Sequence, residues 1–403
     1  MSAPEPPLGG VPRDALARLH ATPHRTVFAF AGAGSLALAW LHAVGGSSRT
    51  LLEATDHYHP ASLAGALAGA PEGEGDGMGD GVGVGDGAVS ADVAHALARR
   101  AADRADVLTA GDDPPGPRFG MGLTATIATD RPKRGEHRAF LAAADALGVA
   151  TTALRFAKGA RDRAGEEAMI ARWVAYQAGR QAGVLGEAPP AHREDDDVAT
   201  TFTPSAAYAA FLQDGDATLL LDVDGRPSDA PPPPVLVSGS FHPMHQGHRD
   251  LAAAAEAHLG LPAAYELPLV NADKAPMDPG DARVRAAQAY GDRPIVLGHA
   301  ALFSDKAEAW PGTTFVLGAD TARRVLEPRF YGGPDALRAA LERVRAADGR
   351  FLVAGRAGDG GFRTLDDLAV PGDLRDLFAP LPNFRVDLSS TAVRAGWPLD
   401  GRD

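Results

Sequence analysis

Two histidines three positions apart, His245 and His248, lie inside the run Gly239-Ser240-Phe241-His242-Pro243-Met244-His245-Gln246-Gly247-His248. An apolar segment, Val235 to Val237, precedes the run and an Ala-rich stretch of helical composition follows it. That order spells a strand, a tight turn and a helix start. Glycine in the turn lets the backbone approach a ligand closely, and the first-turn N–H groups of the helix attract an anion. Residues three apart in a helical first turn face one side, so both imidazoles join the amide cradle. Such a site suits a polyphosphate. A second group of reactive side chains comes near the C-terminus, in Leu388-Ser389-Ser390-Thr391-Ala392-Val393-Arg394. Its hydroxyls suit a helix start, and Arg394, one turn on from Thr391, can fork onto phosphate oxygens.

Two further stretches place polar groups just beyond apolar runs. Gly318-Ala319-Asp320 follows Thr313 to Leu317, so Asp320 either faces a ligand or caps the next helix. Asn271, Asp273 and Lys274 follow the run that begins at residue 264. Lys274 is one of only four lysines, with Lys133, Lys158 and Lys306, among 39 basic residues. A chain that otherwise uses arginine keeps lysine where a compact ammonium is needed, although a solvated loop cation is the plain alternative. Arg323, Arg324 and Arg329 read as surface charges, and Phe330 and Tyr331 as packing aromatics that could also stack on a base.

The ten-residue run resembles the GxFxPxHxGH signature of the HxGH nucleotidylyltransferases, the superfamily that includes nicotinamide mononucleotide adenylyltransferase. Residues 388 to 394 resemble the second signature of those enzymes, ISSTxIR, and Gly318 to Asp320 their GxD segment. The resemblance implies a transferase that moves AMP from ATP to a phosphorylated small molecule. It assigns catalysis to His245, His248 and Arg394, and nucleotide binding to Gly239, Ser240, Phe241, Gly247, Gly318, Asp320, Ser389, Ser390 and Thr391. Lys274 would meet the substrate phosphate; Mg²⁺ would arrive with ATP, with no resident metal. Other HxGH chemistries, adenylyl transfer to a phosphopantetheine arm or cytidylyl transfer, stay open, as does a nonenzymatic nucleotide sensor. An aminoacyl-tRNA synthetase is disfavoured by the short segment and the lack of a KMSKS-type loop.

Residues 26 to 58, with Val89 to Ala94 and Gly120 to Thr129, resemble the CinA C-terminal family of nicotinamide-nucleotide amidases. Where that family carries a serine nucleophile in an ESCTGG-like turn, this chain reads Phe30-Ala31-Gly32-Ala33-Gly34-Ser35. The resemblance therefore implies binding of a pyridine nucleotide without hydrolysis, or a dimerisation scaffold that would make the chain a homo-oligomer. Gly45 to Arg49 and the basic loop Lys133 to Arg138 are the candidate phosphate holders. Since both resemblances concern nicotinamide mononucleotide, their pairing points to that compound or nicotinate mononucleotide as acceptor, giving NAD or its deamido form.

The elements that must position these groups follow from pattern. At 403 residues the chain can bury two cores. We expect an α/β protein with a leader over 1–20, a CinA-like domain over 21–186 and a linker with a short helix and strand over 187–234. A nucleotidylyltransferase domain, a Rossmann-like doubly wound parallel sheet, would fill 235–400. Its strands are expected at 235–238, 264–270, 294–298, 313–317, 350–354 and 384–388. Residues 71–88, rich in Gly and Asp, should form a mobile insertion. A net charge of -13 argues against nucleic-acid and anionic-membrane partners. The most apolar stretch, Val27 to Val44, barely reaches the ~17–25 residues of a bilayer span. With no cysteine, a reducing cytoplasm is the expectation.

Overall fold

Apolar runs punctuated by Gly and Pro become buried strands, and the Ala-rich text between them becomes helices, in a computed structural model of mixed α/β architecture. It describes residues 10–68, 87–113, 116–131, 134–215, 217–270, 275–358, 361–386 and 393–394. The chain divides into two units, the first running through Tyr208 and the second from Ala209 to Trp397.

The first unit holds α1 (Arg13–His20), β1 (Arg25–Ala31), α2 (Ser35–His42), α3 (Ser47–Thr50), β2 (Leu51–Asp56), α4 (Pro60–Leu67) and α5 (Ala91–Thr109). It continues with β3 (Arg118–Thr126), β4 (His137–Asp145), β5 (Gly148–Phe156), α6 (Arg163–Gln181) and β6 (Asp197–Pro204). Its sheet runs β2-β1-β3-β4-β5-β6, with β1 parallel to β2 and β3 and an antiparallel meander from β3 onward. α5 lies against β3 backbone to backbone, because small residues meet there. A Cβ on Gly122 would stand 2.2 Å from the Ala94 carbonyl oxygen, and one on Gly120 2.1 Å from that of Ala98.

Two expectations about boundaries are corrected here. Residues 13–20 are not a loose leader. They form α1, whose Leu16 and Leu19 are buried and whose His20 bonds Thr50 Oγ1 at 2.9 Å and the Leu41 carbonyl at 3.0 Å. The Pro-rich text before Arg13 hid a helix of only two turns. Nor is 187–234 a linker: β6 completes the first sheet beside β5. As a half-exposed edge strand, β6 carries no apolar face that periodicity could detect. Asp196, within the acidic run Glu194 to Asp197, is buried in a two-pronged bond with Arg161 at 3.0 and 2.7 Å.

α7 (Ala206–Gln213) leads into the second unit, which adds β7 (Thr218–Leu221), β8 (Pro227–Ser228), β9 (Val235–Ser238), α8 (Gln246–Leu259), β10 (Ala263–Pro268) and α9 (Pro279–Ala287). Then come β11 (Ile295–Gly298), α10 (Phe303–Ala309), β12 (Thr314–Gly318), α11 (Ala319–Val325), α12 (Pro334–Ala346), β13 (Arg350–Gly358), β14 (Gly361–Arg363) and β15 (Phe378–Val386). Six of these strands are parallel, in the order β11-β10-β9-β12-β13-β15. Counted along the chain that is 3-2-1-4-5-6, the doubly wound arrangement. β7, β8 and β14 add antiparallel edges, so β7 and β8 belong to this sheet and not to a linker. The order reverses between β9 and β12, where Val235 pairs with Thr314 and Val237 with Val316.

The last strand differs from the expected 384–388. β15 starts six residues earlier and carries Pro380 and Pro382, which donate no hydrogen bond; at the margin of the sheet, paired with β13 alone, that lack is tolerated. Among the described residues no helix is long and apolar enough to cross a membrane.

The tight α5–β3 approach gives a stability test. Gly122→Ala should lower the unfolding free energy in urea by ~1–3 kcal/mol through overpacking. Gly65→Ala, on α4 with open space around it, should raise it by ~0.5–1 kcal/mol through helix propensity. Equal effects of the two changes would show that α5 and β3 are not packed this closely.

Candidate functional site

The turn after β9 is built around one buried ring. Phe241 adopts a left-handed backbone, φ 43°, and its side chain is 0% exposed, packed edge-on against Tyr265 at 5.4 Å and His248 at 5.2 Å. Burying the ring offsets the strain of a positive φ. Gly239 is needed beside it, since a Cβ there would lie 2.7 Å from the ring. The Gly239 N–H donates to the Glu266 carbonyl at 3.0 Å, tying the turn to β10.

Side chains from distant elements then clamp the turn's peptide groups. Arg285 donates to the Ser240 carbonyl at 3.2 Å. The Gln288 amide, just past α9, donates to the Phe241 carbonyl and accepts from the Met244 N–H, both at 2.8 Å. Arg394 donates to the His242 carbonyl across 152 positions of sequence. Gln288 is itself fixed: Arg249 holds its carbonyl at 2.8 Å and also holds Asp292, which accepts from the Tyr265 hydroxyl at 2.7 Å. Burial, reinforced by Asp292, pushes the Tyr265 phenol far above its usual range, so it remains a donor.

His245 is the N-cap of α8, in extended conformation, and His248 is the third residue of the helix. The rings stack at 3.8 Å and 29°, so the spacing does bring them to one side. The His245 N–H donates to His248 Nδ1 at 3.2 Å. An Nδ1 that accepts leaves the neutral ring's proton on Nε2, so His248 presents a donor there.

A cavity of about 930 Å³ opens over the carboxyl ends of β9 and β12, where the strand order reverses. Gly239, Ser240, His245, Gly247, His248, Gly318, Asp320 and Arg394 all line it. Sheets of this order bind ligands at that place. Asp320 is the second residue of α11, whose N-cap is Gly318, so it is not that helix's cap.

Phe241 is the exception, since its buried ring positions the turn and does not line the cavity. Lys274, with Asn271 and Asp273, and Ser389, Ser390 and Thr391 lie outside the described residues. Lys133 and positions 71–86 of the Gly/Asp-rich stretch do also.

The cavity wall includes residues that sequence reasoning did not assign to it. Lys306, Phe303 and Arg285 line it, none of them within a recognisable motif. Arg324, expected on the surface, lines it too, along with Phe330 and Tyr331. Arg324 lies 5.2 Å from the Phe330 ring centre. Burial pushes the Tyr331 phenol up to about 12, and its hydroxyl donates to the Val325 carbonyl at 3.0 Å. Arg323 and Arg329 do stay outside, paired with Glu327 at 3.1 and 2.7 Å. Among the described residues no cluster of three or more His, Cys, Asp or Glu is arranged to hold a metal ion.

In the first unit the corresponding turn after β1 is filled by the chain itself. Glu167 Oε1 accepts from the N–H groups of Gly34 and Leu36 at 2.8 and 3.1 Å, and from the Ser35 hydroxyl at 3.3 Å. Of the candidate phosphate holders, Arg49 donates to the His20 carbonyl at 3.2 Å, and His137 meets buried Glu166 at 2.7 Å.

No family profile matches the chain, and no curated protein does. The solved structures to which the chain is similar include these two. One is the competence/damage-inducible protein CihA of Agrobacterium tumefaciens, 18% identical, over 44% of this chain and 96% of that one, with a TM-score of 0.31. The other is a competence-damaged protein (CinA) superfamily protein of Escherichia coli, 16% identical, over 44% and 91%, also with a TM-score of 0.31. A likeness of that extent assigns no residue and no activity.

The Gln288 clamp is testable without a ligand. Gln288→Leu takes the side-chain partner from the part-buried Phe241 carbonyl and Met244 N–H and should cost ~1–2 kcal/mol in urea unfolding. Gln288→Glu, which keeps the acceptor for Met244, should cost less. A neutral Gln288→Leu would mean that the turn holds its shape without the clamp.

Proposed function

We propose that the second unit is a nucleotidylyltransferase that joins the α-phosphate of ATP to the phosphate of a pyridine mononucleotide and releases pyrophosphate. The observation that carries this reading is Arg394 on the His242 carbonyl. It brings the C-terminal signature arginine to the histidine turn, at the reversal of strand order. Chain geometry alone does not require residues 152 positions apart to meet there.

The acceptor phosphate is already an anion and needs no general base. One of its oxygens bonds to the α-phosphorus as the bond from that phosphorus to the pyrophosphate oxygen breaks, and the electron pair leaves with pyrophosphate. Catalysis is then positioning and neutralisation of the charge that builds on the leaving group. The Nε2–H of His248 serves as a donor to that group, with His245 stacked beside it at the N-terminus of α8. Arg394 anchors the turn and adds positive charge, while Mg²⁺ enters bound to the triphosphate. The two sides of the cavity suit the two nucleotides, with Phe330 and Arg324 on the β12 side and Phe303 on the α10 wall.

For the first unit we favour a role without hydrolysis. Phe30 and Ala31 stand where a catalytic acid and serine would be, and Glu167 already takes the N–H groups of the turn. That unit is then a mononucleotide-binding module or a dimerisation scaffold.

The test is incubation of the full chain with ATP, Mg²⁺ and a panel of phosphorylated acceptors, following pyrophosphate. Release with the nicotinamide or nicotinate mononucleotide alone is expected, with no ammonia formed from the former. His248→Ala should keep the fold and lose ~10²–10³ in turnover. Release with phosphopantetheine instead would replace this reading by another transferase, and no release with any acceptor by a nucleotide sensor.

A further inference from the structure

The transfer reaction brings two anions together, because the acceptor phosphate must approach an α-phosphate that is itself negative. The groups assigned above neutralise the leaving pyrophosphate; the incoming phosphate needs a cation on its own side. The part of the cavity wall formed by α9 and α10 carries two, Arg285 and Lys306. Lys306 is already engaged. Its Nζ lies 2.7 Å from Glu266 Oε2, with the two side chains 3% and 0% exposed, so its charge is matched inside the wall.

Arg285 is placed differently. α9 buries Ala282, Arg283 and Ala286, while Asp281 and Arg285, one turn apart, line the cavity. Arg285 Nη1 donates to the Ser240 carbonyl at 3.2 Å, at the start of the turn whose far end carries His245 and His248. The Arg285 carbonyl accepts from Gln288 Nε2 at 3.2 Å, and that amide also holds the Phe241 carbonyl. Backbone and guanidinium of Arg285 are therefore both tied to the histidine turn. Asp281 puts a carboxylate on the same face, so an anion belongs at the Ser240 end of the guanidinium. The cavity wall also holds apolar surface: Leu269 and Met277, joined by a backbone bond of 2.8 Å, and Phe303. A cation together with apolar surface matches a phosphate monoester that carries a flat ring.

We propose that Arg285 binds the phosphate of the acceptor mononucleotide, pairing with two of its oxygens while the ring lies against the apolar wall. In an in-line displacement the attacking and departing oxygens stand on opposite sides of phosphorus. Pyrophosphate leaves toward His248 at the end of the turn, and Arg285 holds the attacking phosphate at its start. A planar guanidinium fork suits that task, since it meets two phosphate oxygens at once and an ammonium does not. This inference rests on the pyridine-nucleotide transferase reading given above.

The experiment uses the full-length protein. Calorimetry in the presence of the α,β-methylene analogue of ATP compares nicotinamide mononucleotide with its nucleoside, which lacks the phosphate; pyrophosphate release with ATP gives kcat and KM. The native chain should bind the mononucleotide ~10–100-fold more tightly than the nucleoside, the usual worth of a hydrogen-bonded charge. Arg285→Ala should remove most of that preference, leave the nucleoside and the ATP analogue bound as before, and raise KM for the mononucleotide more than it lowers kcat. Arg285→Lys, which keeps the charge without the fork, should fall between. A preference that survives Arg285→Ala, or that the native chain lacks, overturns the proposal. So does an equal weakening of nucleoside, mononucleotide and ATP analogue, which is what the loss of a turn clamp alone would give. Arg285-dependent binding of the mononucleotide without pyrophosphate release would leave this inference standing and sink the transferase. Failure of the native chain to bind mononucleotide or nucleoside would sink both.

Discussion

The pairing of β9 with β12 is the constraint from which the site follows. Once β10 takes one side of β9 and β12 the other, the connections leaving the top of β9 and of β12 diverge, and a crevice opens between them. Nothing at the carboxyl end of a central parallel strand can be satisfied by a further strand, so the chain must close that end with turns and helix starts. Here it does so with the Gly239 turn into α8 and the Gly318 turn into α11. Both helices direct first-turn N–H groups at the crevice, and the field there favours an anion before any side chain is considered.

Side chains sharpen that field against an acidic background. On the surface, arginines are matched with carboxylates: Arg343 with Glu308 and Asp305, Arg345 with Asp376, Arg293 with Glu256. Around the cavity, Arg285 and Arg394 bond the backbone carbonyls of Ser240 and His242. These bonds place two guanidinium groups at the turn that carries His245 and His248 and stiffen it, so geometry and electrostatics have one source.

Local pattern made much of this legible. Val235–Ser238 reads as a strand because it is buried on both faces, and the glycine-to-histidine run reads as a phosphate turn because its residue types have few other uses. Gln288 was not legible. An amide after an Ala-rich helix carries no signal until the fold brings it against Phe241 and Met244. Glu266 was read as part of an apolar strand, and its partner Lys306 lies 40 positions away in a short helix with no motif. α1 and β6 were missed for a related reason: each is short and draws its stability from neighbours and not from its own periodicity. What escaped the sequence is the set of interactions that depend on long-range pairing.

The two units show how one local device can be left open or closed. Each has a strand ending in a glycine turn that starts a helix, and each helix start needs an anion or acceptor. In the first unit Glu167, from α6, supplies it through one carboxylate oxygen shared by Gly34, Ser35 and Leu36. Exchanging that carboxylate for a ligand phosphate would require expelling a charge that already makes three hydrogen bonds, so an anion gains little there. In the second unit the corresponding position at α8 is lined by imidazoles beside an open cavity. On the function proposed above, the difference between the closed turn and the open one comes down to whether the protein brings its own anion to the helix.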